Sequence, residues 1–254
     1  MGAVEGTGPT TVPYLSVVMP VFNEAQVVGE VVEGILKHIL DAVPGSELIV
    51  VNDHSTDESL RILLHVAATD ERIRVISNDE NRGHGPSVRR GFDSARGAWI
   101  FHLDSHAQFD VREFPLVYAR RFDADLILGV RLNRLDPFHR LVLTRLTRTL
   151  VALLAGRDLK DANVPFKLVR RSLFEHLSSA IPIDVFAPSI LLAAAACRSG
   201  ARVVEVGVSH SARPAGRSKL RPVKLAGISA RCCVELVRSR FSKVRPYSFS
   251  AHES

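Results

Sequence analysis

Leu15–Val21 reads LSVVMPV, a nearly continuous apolar run with one small hydroxyl in it. A strand with one wet face alternates apolar and polar residues. An unbroken apolar strand must be covered on both faces, which calls for helices above and below a parallel sheet. The residues that follow supply them. Glu24–Leu40 places Val27, Val28, Val31, Ile35 and Leu36 on one side at helical spacing, and Leu48–Val51 is a second buried strand. Ser55-Thr-Asp-Glu-Ser reads as a helix start, with Ser55 or Thr56 as the cap. Ile73–Ser77, Trp99–Leu103, Leu126–Val130 and Val203–Val208 are further strands, and Gly83–Ala95 and Ala187–Ser199 further helices, the latter closed by Gly200. Strands alternating with helices imply right-handed crossovers and a mainly parallel central sheet flanked by helices: an α/β fold.

Beyond Pro137 the pattern loosens. Phe138–Leu154 reads as a helix studded with arginines. Val223–Phe241 reads as an amphipathic helix with Lys224, Arg231, Glu235 and Arg238 on one polar face. The organisation expected is a tail over 1–13, one α/β domain over 14–221 and a basic C-terminal extension over 222–254. Charge follows the same division. From Arg198 onward there are 12 Lys and Arg against 3 Asp and Glu, in a chain whose net charge is +6. A basic extension on a near-neutral body calls for an anionic partner or is a solvated face. The longest uncharged apolar stretch, Val185–Cys197, falls short of the roughly 18 to 20 residues of a spanning helix. The N-terminus lacks the basic and apolar regions of a secretory signal. Three cysteines, two of them adjacent, make neither a disulfide framework nor a metal knuckle. A reducing, cytoplasmic setting is expected.

In open α/β sheets ligands bind beyond the carboxyl ends of the strands. The residues there are Pro20-Val-Phe-Asn-Glu24, Asn52-Asp53-His54-Ser-Thr-Asp57, Asn81-Arg-Gly-His-Gly85 and Asp104-Ser-His106-Ala-Gln108. A single Asp after a strand is usually a turn former. Four polar clusters in register with four strand ends predict one shared crevice. Neither G-x-G-x-x-G after the first strand nor G-x-x-x-x-G-K-[ST] occurs, which argues against a dinucleotide oxidoreductase and a P-loop ATPase.

The segments SVVMPVFNEA, VNDHSTDES, NRGHGPSVRRGF and ARGAWIFHLDSHAQF resemble the inverting family-2 glycosyltransferases, which have the GT-A fold. LGVRLNRLDPFHRLVLTRL, DANVPFKLVRRSLF and VVEVGVSHSARPAGRSKL are similar to the polyprenyl-phosphate group of that family, the dolichyl-phosphate mannose synthases. The resemblance runs from about Leu15 to Leu220. It implies that Pro20, Phe22, Glu24 and Asp53 line a nucleoside pocket, and that Arg213 and Lys219 close over the donor diphosphate. It also implies a divalent ion, Mn²⁺ or Mg²⁺, at Asp104, His106 and Gln108. His106 stands where the family has a second Asp; imidazole suits Mn²⁺ better than Mg²⁺. Asn52 and His54 replace the family's usual Asp and Gly.

On the acceptor side the resemblance implies that Arg131, Arg140, Thr144 and Ser218 contact a lipid phosphate. Such an acceptor is already an anion and needs positioning rather than a general base. Asp104, Arg131 and Arg140 are then the catalytic set. The implied activity is inverting transfer from a nucleotide sugar, GDP-mannose or a UDP-hexose, to a polyprenyl phosphate. A soluble transferase acting on a hydroxyl is the alternative, for which Asp184 is the one available carboxylate, unless that residue only caps a helix. A non-catalytic nucleotide-binding protein is a third reading. The basic extension implies peripheral contact with an anionic membrane at its inner face, or packing of the helix onto the body. No nucleic-acid partner is expected.

Overall fold

The computed structural model describes residues 13–132, 148–149, 151–211, 222–240 and 244–248. Seven strands form one sheet: β1 (Leu15–Val21), β2 (Ser46–Asn52), β3 (Ile73–Ser77), β4 (Trp99–Leu103), β5 (Leu126–Leu132), β6 (Phe166–Arg170) and β7 (Val203–Ser209), in the order β3-β2-β1-β4-β6-β5-β7. The pairs β1–β2, β1–β4, β2–β3 and β5–β7 are parallel, while β6 runs antiparallel to both β4 and β5. The expected α/β architecture with a mainly parallel sheet therefore holds.

β6 was not foreseen, and its sequence explains why. FKLVR carries a lysine inside a strand whose first four residues are all buried, so it matches neither an alternating nor an apolar pattern. Six other strands coincide with the expected ones or extend them by one to three residues. β1 lies between β2 and β4, and the chain leaves it towards β2 and β3 before returning to β4. The connections diverge at the carboxyl ends of β1 and β4, which opens a crevice there.

The helices are α1 (Val28–Ile35, continued by a wider turn over Leu36–Leu40), α2 (Ser59–Ala67), α3 (His84–Ser94), α4 (Phe114–Tyr118), α5 (Arg171–Leu177), α6 (Pro188–Ser199) and α7 (Pro222–Arg240). α1 buries Val28, Val31 and Ile35 of the expected stripe together with Val32, while Val27 is buried just before it and Leu36 is half-buried. Glu24 does not begin it; its carbonyl accepts from the backbone N–H of both Val27 and Val28 in a preceding turn. α2 starts later than expected, and neither Ser55 nor Thr56 caps it. Their side-chain and backbone groups bond Asn23 instead, and Asp57 takes the N–H of Ser59 at 2.9 Å. α6 is buried from Pro188 to Ala196 and ends, as expected, at Gly200 in the left-handed region. The expected helix over Phe138–Leu154 lies mostly outside the described residues; 151–155 are helical.

α7 packs against α6 through Cys232 and Leu236, both buried. The expectation of one polar face containing Glu235 is corrected. Glu235 turns inward and accepts from the N–H groups of Phe186 (2.9 Å) and Ala187 (3.2 Å). Those two groups precede α6, whose N-terminal donors have no side-chain cap of their own. Among its described side chains, the outward ones are those of Arg231, Val234, Val237 and Arg238.

α3 lies close on the sheet. A Cβ at Gly91 would collide with Val18 of β1 and press on Val51 of β2. Helix propensity alone favours Ala over Gly by about 1 kcal/mol, whereas overpacking costs about 1–3 kcal/mol. The collision is with strand side chains at the centre of the sheet, so packing wins. Gly91→Ala is expected to lower the urea midpoint at unchanged slope. A raised midpoint would show that α3 stands further off the sheet.

Candidate active site

The loops after β1 and β2 are laced together. The Asn23 side chain accepts from Thr56 N at 2.8 Å, and the N–H groups of Asn23, Glu24 and Ala25 donate to Ser55, Ser59 and Asp57. Asn23 and His54 both adopt positive φ, +55° and +58°. The His54 position is the one where the resembled family carries glycine, and its backbone gives the physical reason.

Asp53 is buried at the end of β2. Its carboxylate accepts from Asn78 Nδ2 (2.7 Å), Arg82 N (2.9 Å) and Gly83 N (2.8 Å), which pins the loop entering α3. A cleft of about 650 Å³ is lined by Pro20, Phe22, Glu24, Asp53, His84, Asp104 and His106. The four residues expected at a nucleoside pocket are thus brought together. Phe22 is 45% exposed and offers an open aromatic face.

Asp104 follows β4 and is nearly buried. Its Oδ1 lies 3.5 Å from His102 Nε2 and 3.8 Å from His84 Nε2; its Oδ2 lies 3.2 Å from His106 Nε2. Burial would raise the Asp104 pKa, but the three imidazoles outweigh it and hold the carboxyl well below its usual range. Burial pushes His102 down to about 4. Both ring nitrogens of His102 and Oδ1 of Asp104 lack a hydrogen-bond partner among the described residues. Ala107 between His106 and Gln108 has φ +53°, a strained turn that directs both side chains. The Gln108 amide donates to the Ser211 carbonyl at 3.2 Å. An orphaned carboxylate oxygen ringed by nitrogen donors fits a divalent cation.

A second cleft, about 1340 Å³, shares His84, Asp104 and His106 with the first and extends to Arg131, Asp184 and Arg231. Arg131 is held bidentately by the buried Asp161 at 2.6 and 2.9 Å. Asp184 is exposed in this cleft and is not a cap, because Glu235 serves the start of α6 instead. Arg140, Thr144, Arg213, Ser218 and Lys219 lie outside the described residues.

Three groups were missed. His102 sits in an otherwise apolar strand, WIFHL; Lys167 sits opposite it in β6, in FKLVR. A lone ionisable residue inside a buried strand was the available signal. Arg231 could not be placed from its sequence, since the docking of α7 brings it to the cleft, with its guanidinium 5.0 Å from the centre of the Phe186 ring.

Lys167 is buried with Nζ unpartnered among the described residues. Burial lowers its pKa to about 7, against the pull of Asp104 and Asp161. Between about 7 and the ordinary 10.5 the unfolded chain holds a proton that the fold lacks, so stability rises with pH across that window. Lys167→Met is expected to flatten that rise and to stabilise the protein at pH 7 by about 1–4 kcal/mol. Urea denaturation at pH 7 and pH 9.5 measures both effects. An unchanged slope would mean that Lys167 is solvated.

The chain and its fold are similar to those of known proteins. The chain is 30% identical over 221 residues to a dodecaprenyl-phosphate galacturonate synthase of Rhizobium johnstonii, covering 85% of this chain and 64% of the relative. It is 27% identical over 216 residues to an undecaprenyl-phosphate 4-deoxy-4-formamido-L-arabinose transferase of Proteus mirabilis, covering 84% and 65%. The chain thus spans just under two thirds of the length of both. Among solved structures, glucosyl-3-phosphoglycerate synthase of Mycobacterium tuberculosis, in complex with Mn²⁺, UDP-glucose and phosphoglyceric acid, superimposes with a TM-score of 0.66 at 18% identity, covering 90% of this chain and 80% of that one. That likeness establishes the shared fold, in accord with the expected GT-A type. The model of glycosyl transferase family 2 matches residues 16–178, well over half of the chain, and the chain belongs to that family.

Proposed function

We propose that the protein transfers a sugar, with inversion, from a nucleotide-sugar donor to a polyprenyl phosphate. The observation that carries this reading is the meeting of two clefts at Asp104, one lined by Phe22 and Glu24, the other by a guanidinium that a buried carboxylate holds in place. The polyprenyl-phosphate relatives support the acceptor class.

In this reading the nucleoside occupies the smaller cleft, with Phe22 against the base. The loop pinned by Asp53 presents His84 towards the diphosphate. A phosphate oxygen of the acceptor attacks the anomeric carbon from the larger cleft. The bond from that carbon to the donor diphosphate breaks, and its electron pair leaves on the diphosphate oxygen. A divalent cation at Asp104, when bound, supplies charge neutralisation to that leaving group. Arg131 orients the attacking phosphate, and its pairing with Asp161 fixes the guanidinium in advance of binding. The nucleotide, GDP or UDP, and the sugar are determined by side chains in the smaller cleft. Arg213 and Lys219 contribute to donor binding, and Arg140, Thr144 and Ser218 to acceptor binding, as the family resemblance implies.

The exposure of Asp184 in the larger cleft favours a second reading, in which it serves as base for a hydroxyl acceptor. Assays with polyprenyl phosphate and with soluble hydroxyl acceptors separate the two. Arg131→Ala is expected to lower kcat/KM for polyprenyl phosphate about 10- to 100-fold at constant donor affinity, the loss of one charge-assisted contact. Asp184→Asn should leave that activity within a few-fold. The opposite ranking, with turnover confined to a hydroxyl acceptor, would select the second reading.

No helix among the described residues is long and apolar enough to cross a membrane. α7 packs Cys232 and Leu236 inward and turns Arg231, Val234, Val237 and Arg238 outward. Basic residues beside exposed valines suit peripheral binding to an anionic surface, each cation contributing about 1 kcal/mol. Co-sedimentation with anionic vesicles, weakened by salt and missing with neutral ones, is expected. Failure to bind anionic vesicles at low salt would leave α7 as a packing element alone.

A further inference from the structure

We propose that the cation site at Asp104 is a nitrogen-rich one, formed by His84 and His102 with the carboxylate, and that it takes a borderline transition ion such as Mn²⁺, Co²⁺ or Zn²⁺ in preference to Mg²⁺. The inference rests on the active-site reading above and names the cation's ligands. It differs from the set that the resemblance implies, Asp104 with His106 and Gln108.

The distances carry it. One nitrogen each of His84 and His102 and one oxygen of Asp104 lie within 4.8 Å of one another. Around a tetrahedral ion with bonds near 2.0–2.1 Å, ligand atoms stand about 3.4 Å apart. The separations from Asp104 Oδ1, 3.5 Å to His102 and 3.8 Å to His84, are close to that spacing, and the two imidazole nitrogens, within 4.8 Å of one another, have further to close. The three side chains come from rigid places: His102 within β4, Asp104 just past its end, and His84 at the first turn of α3.

The second observation is the state of His102. It is wholly buried, and neither ring nitrogen has a hydrogen-bond partner among the described residues. Phe92 packs edge-on against its ring, 5.8 Å between centres, and His84 lies 6.0 Å away. An imidazole desolvated among rings with no partner costs free energy unless something coordinates it. Asp104 Oδ1, also orphaned, faces the same point.

His106 Nε2 and the Gln108 amide nitrogen are already engaged, while His106 Nδ1 is buried with no hydrogen-bond partner among the described residues. His106 Nε2 stands 3.2 Å from the other carboxylate oxygen, Oδ2, where it orients Asp104. Gln108 donates to Ser211. His106 is then a positioning residue, of the kind that commonly supports a metal ligand. His84 is half-exposed on the cleft side. Two imidazoles and one carboxylate suit borderline transition ions, while Mg²⁺ prefers an oxygen octahedron.

Cation binding to the full chain, with neither nucleotide nor acceptor, tests this directly. Co²⁺ is expected to give a visible absorption band of low-coordinate nitrogen ligation. Calorimetry should rank Co²⁺, Zn²⁺ and Mn²⁺ above Mg²⁺. His84→Gln and His102→Gln should each weaken Co²⁺ binding at least tenfold and alter the band. His84→Gln is the safer of the two for folding, since its site is half-exposed, and it decides alone if His102→Gln does not fold. A loss smaller than threefold in His84→Gln, with an unchanged band, overturns the assignment, as does Mg²⁺ binding equal to Mn²⁺. Because no sugar is transferred in this experiment, a negative result here leaves the glycosyl-transfer reading standing, and a failed acceptor assay leaves this one standing.

Discussion

The three hydrogen bonds accepted by the buried Asp53 carboxylate tie the end of β2 to the loop that opens α3. Without them the backbone N–H groups of Arg82 and Gly83 would lack partners at a strand end where no ladder continues. Each bond to an ionised acceptor contributes about 1.5–3 kcal/mol, and its loss leaves a buried polar group unpaired. The consequence reaches the chemistry. The same loop sets His84 beside Asp104, and it forms the wall shared by the two clefts. Gly85 lets the chain run close under the carbonyl of Val185, where any side chain would collide. The start of α3 is therefore held from below by Asp53 and from above by the segment before α6.

Charge is distributed around Asp104 in an unusual way. Three imidazoles, a buried lysine and an arginine surround two buried carboxylates, Asp104 and Asp161. Asp161 is satisfied by Arg131. Asp104 is not satisfied to the same degree, because its closest imidazole contacts fall at 3.2–3.8 Å. Burying ionisable groups in a partly balanced cluster costs stability. It is sustained here by the seven-stranded sheet and its large apolar core.

The C-terminal helix has more than one task. Glu235 caps the segment at Phe186 and Ala187, and Arg198 of α6 donates to the carbonyl of Ser239. Cys232 and Leu236 seal the contact between α6 and α7. Arg231 stacks near Phe186 and reaches the rim of the larger cleft. A helix that is amphipathic in sequence thus lines the larger cleft through Arg231 and Cys232.

Six of the seven strands, the mainly parallel character of the sheet and the crevice at the strand ends were legible in the sequence. Apolar runs and helical spacing are local signals, and the handedness of β-α-β connections converts them into topology. That Phe22, Glu24 and Asp53 gather at the strand ends, beside Pro20 within β1, was legible for the same reason, whereas their assignment to a nucleoside came from the family resemblance. β6 was not, because Lys167 interrupts its pattern and its burial comes from neighbours distant in sequence. Tertiary structure alone decided that Asp53 binds its own backbone, that Asp161 orients Arg131 and that Glu235 faces inward. It also placed His84 and His102 against Asp104. These are contacts between elements far apart along the chain, and their partners follow from packing, which no local pattern encodes.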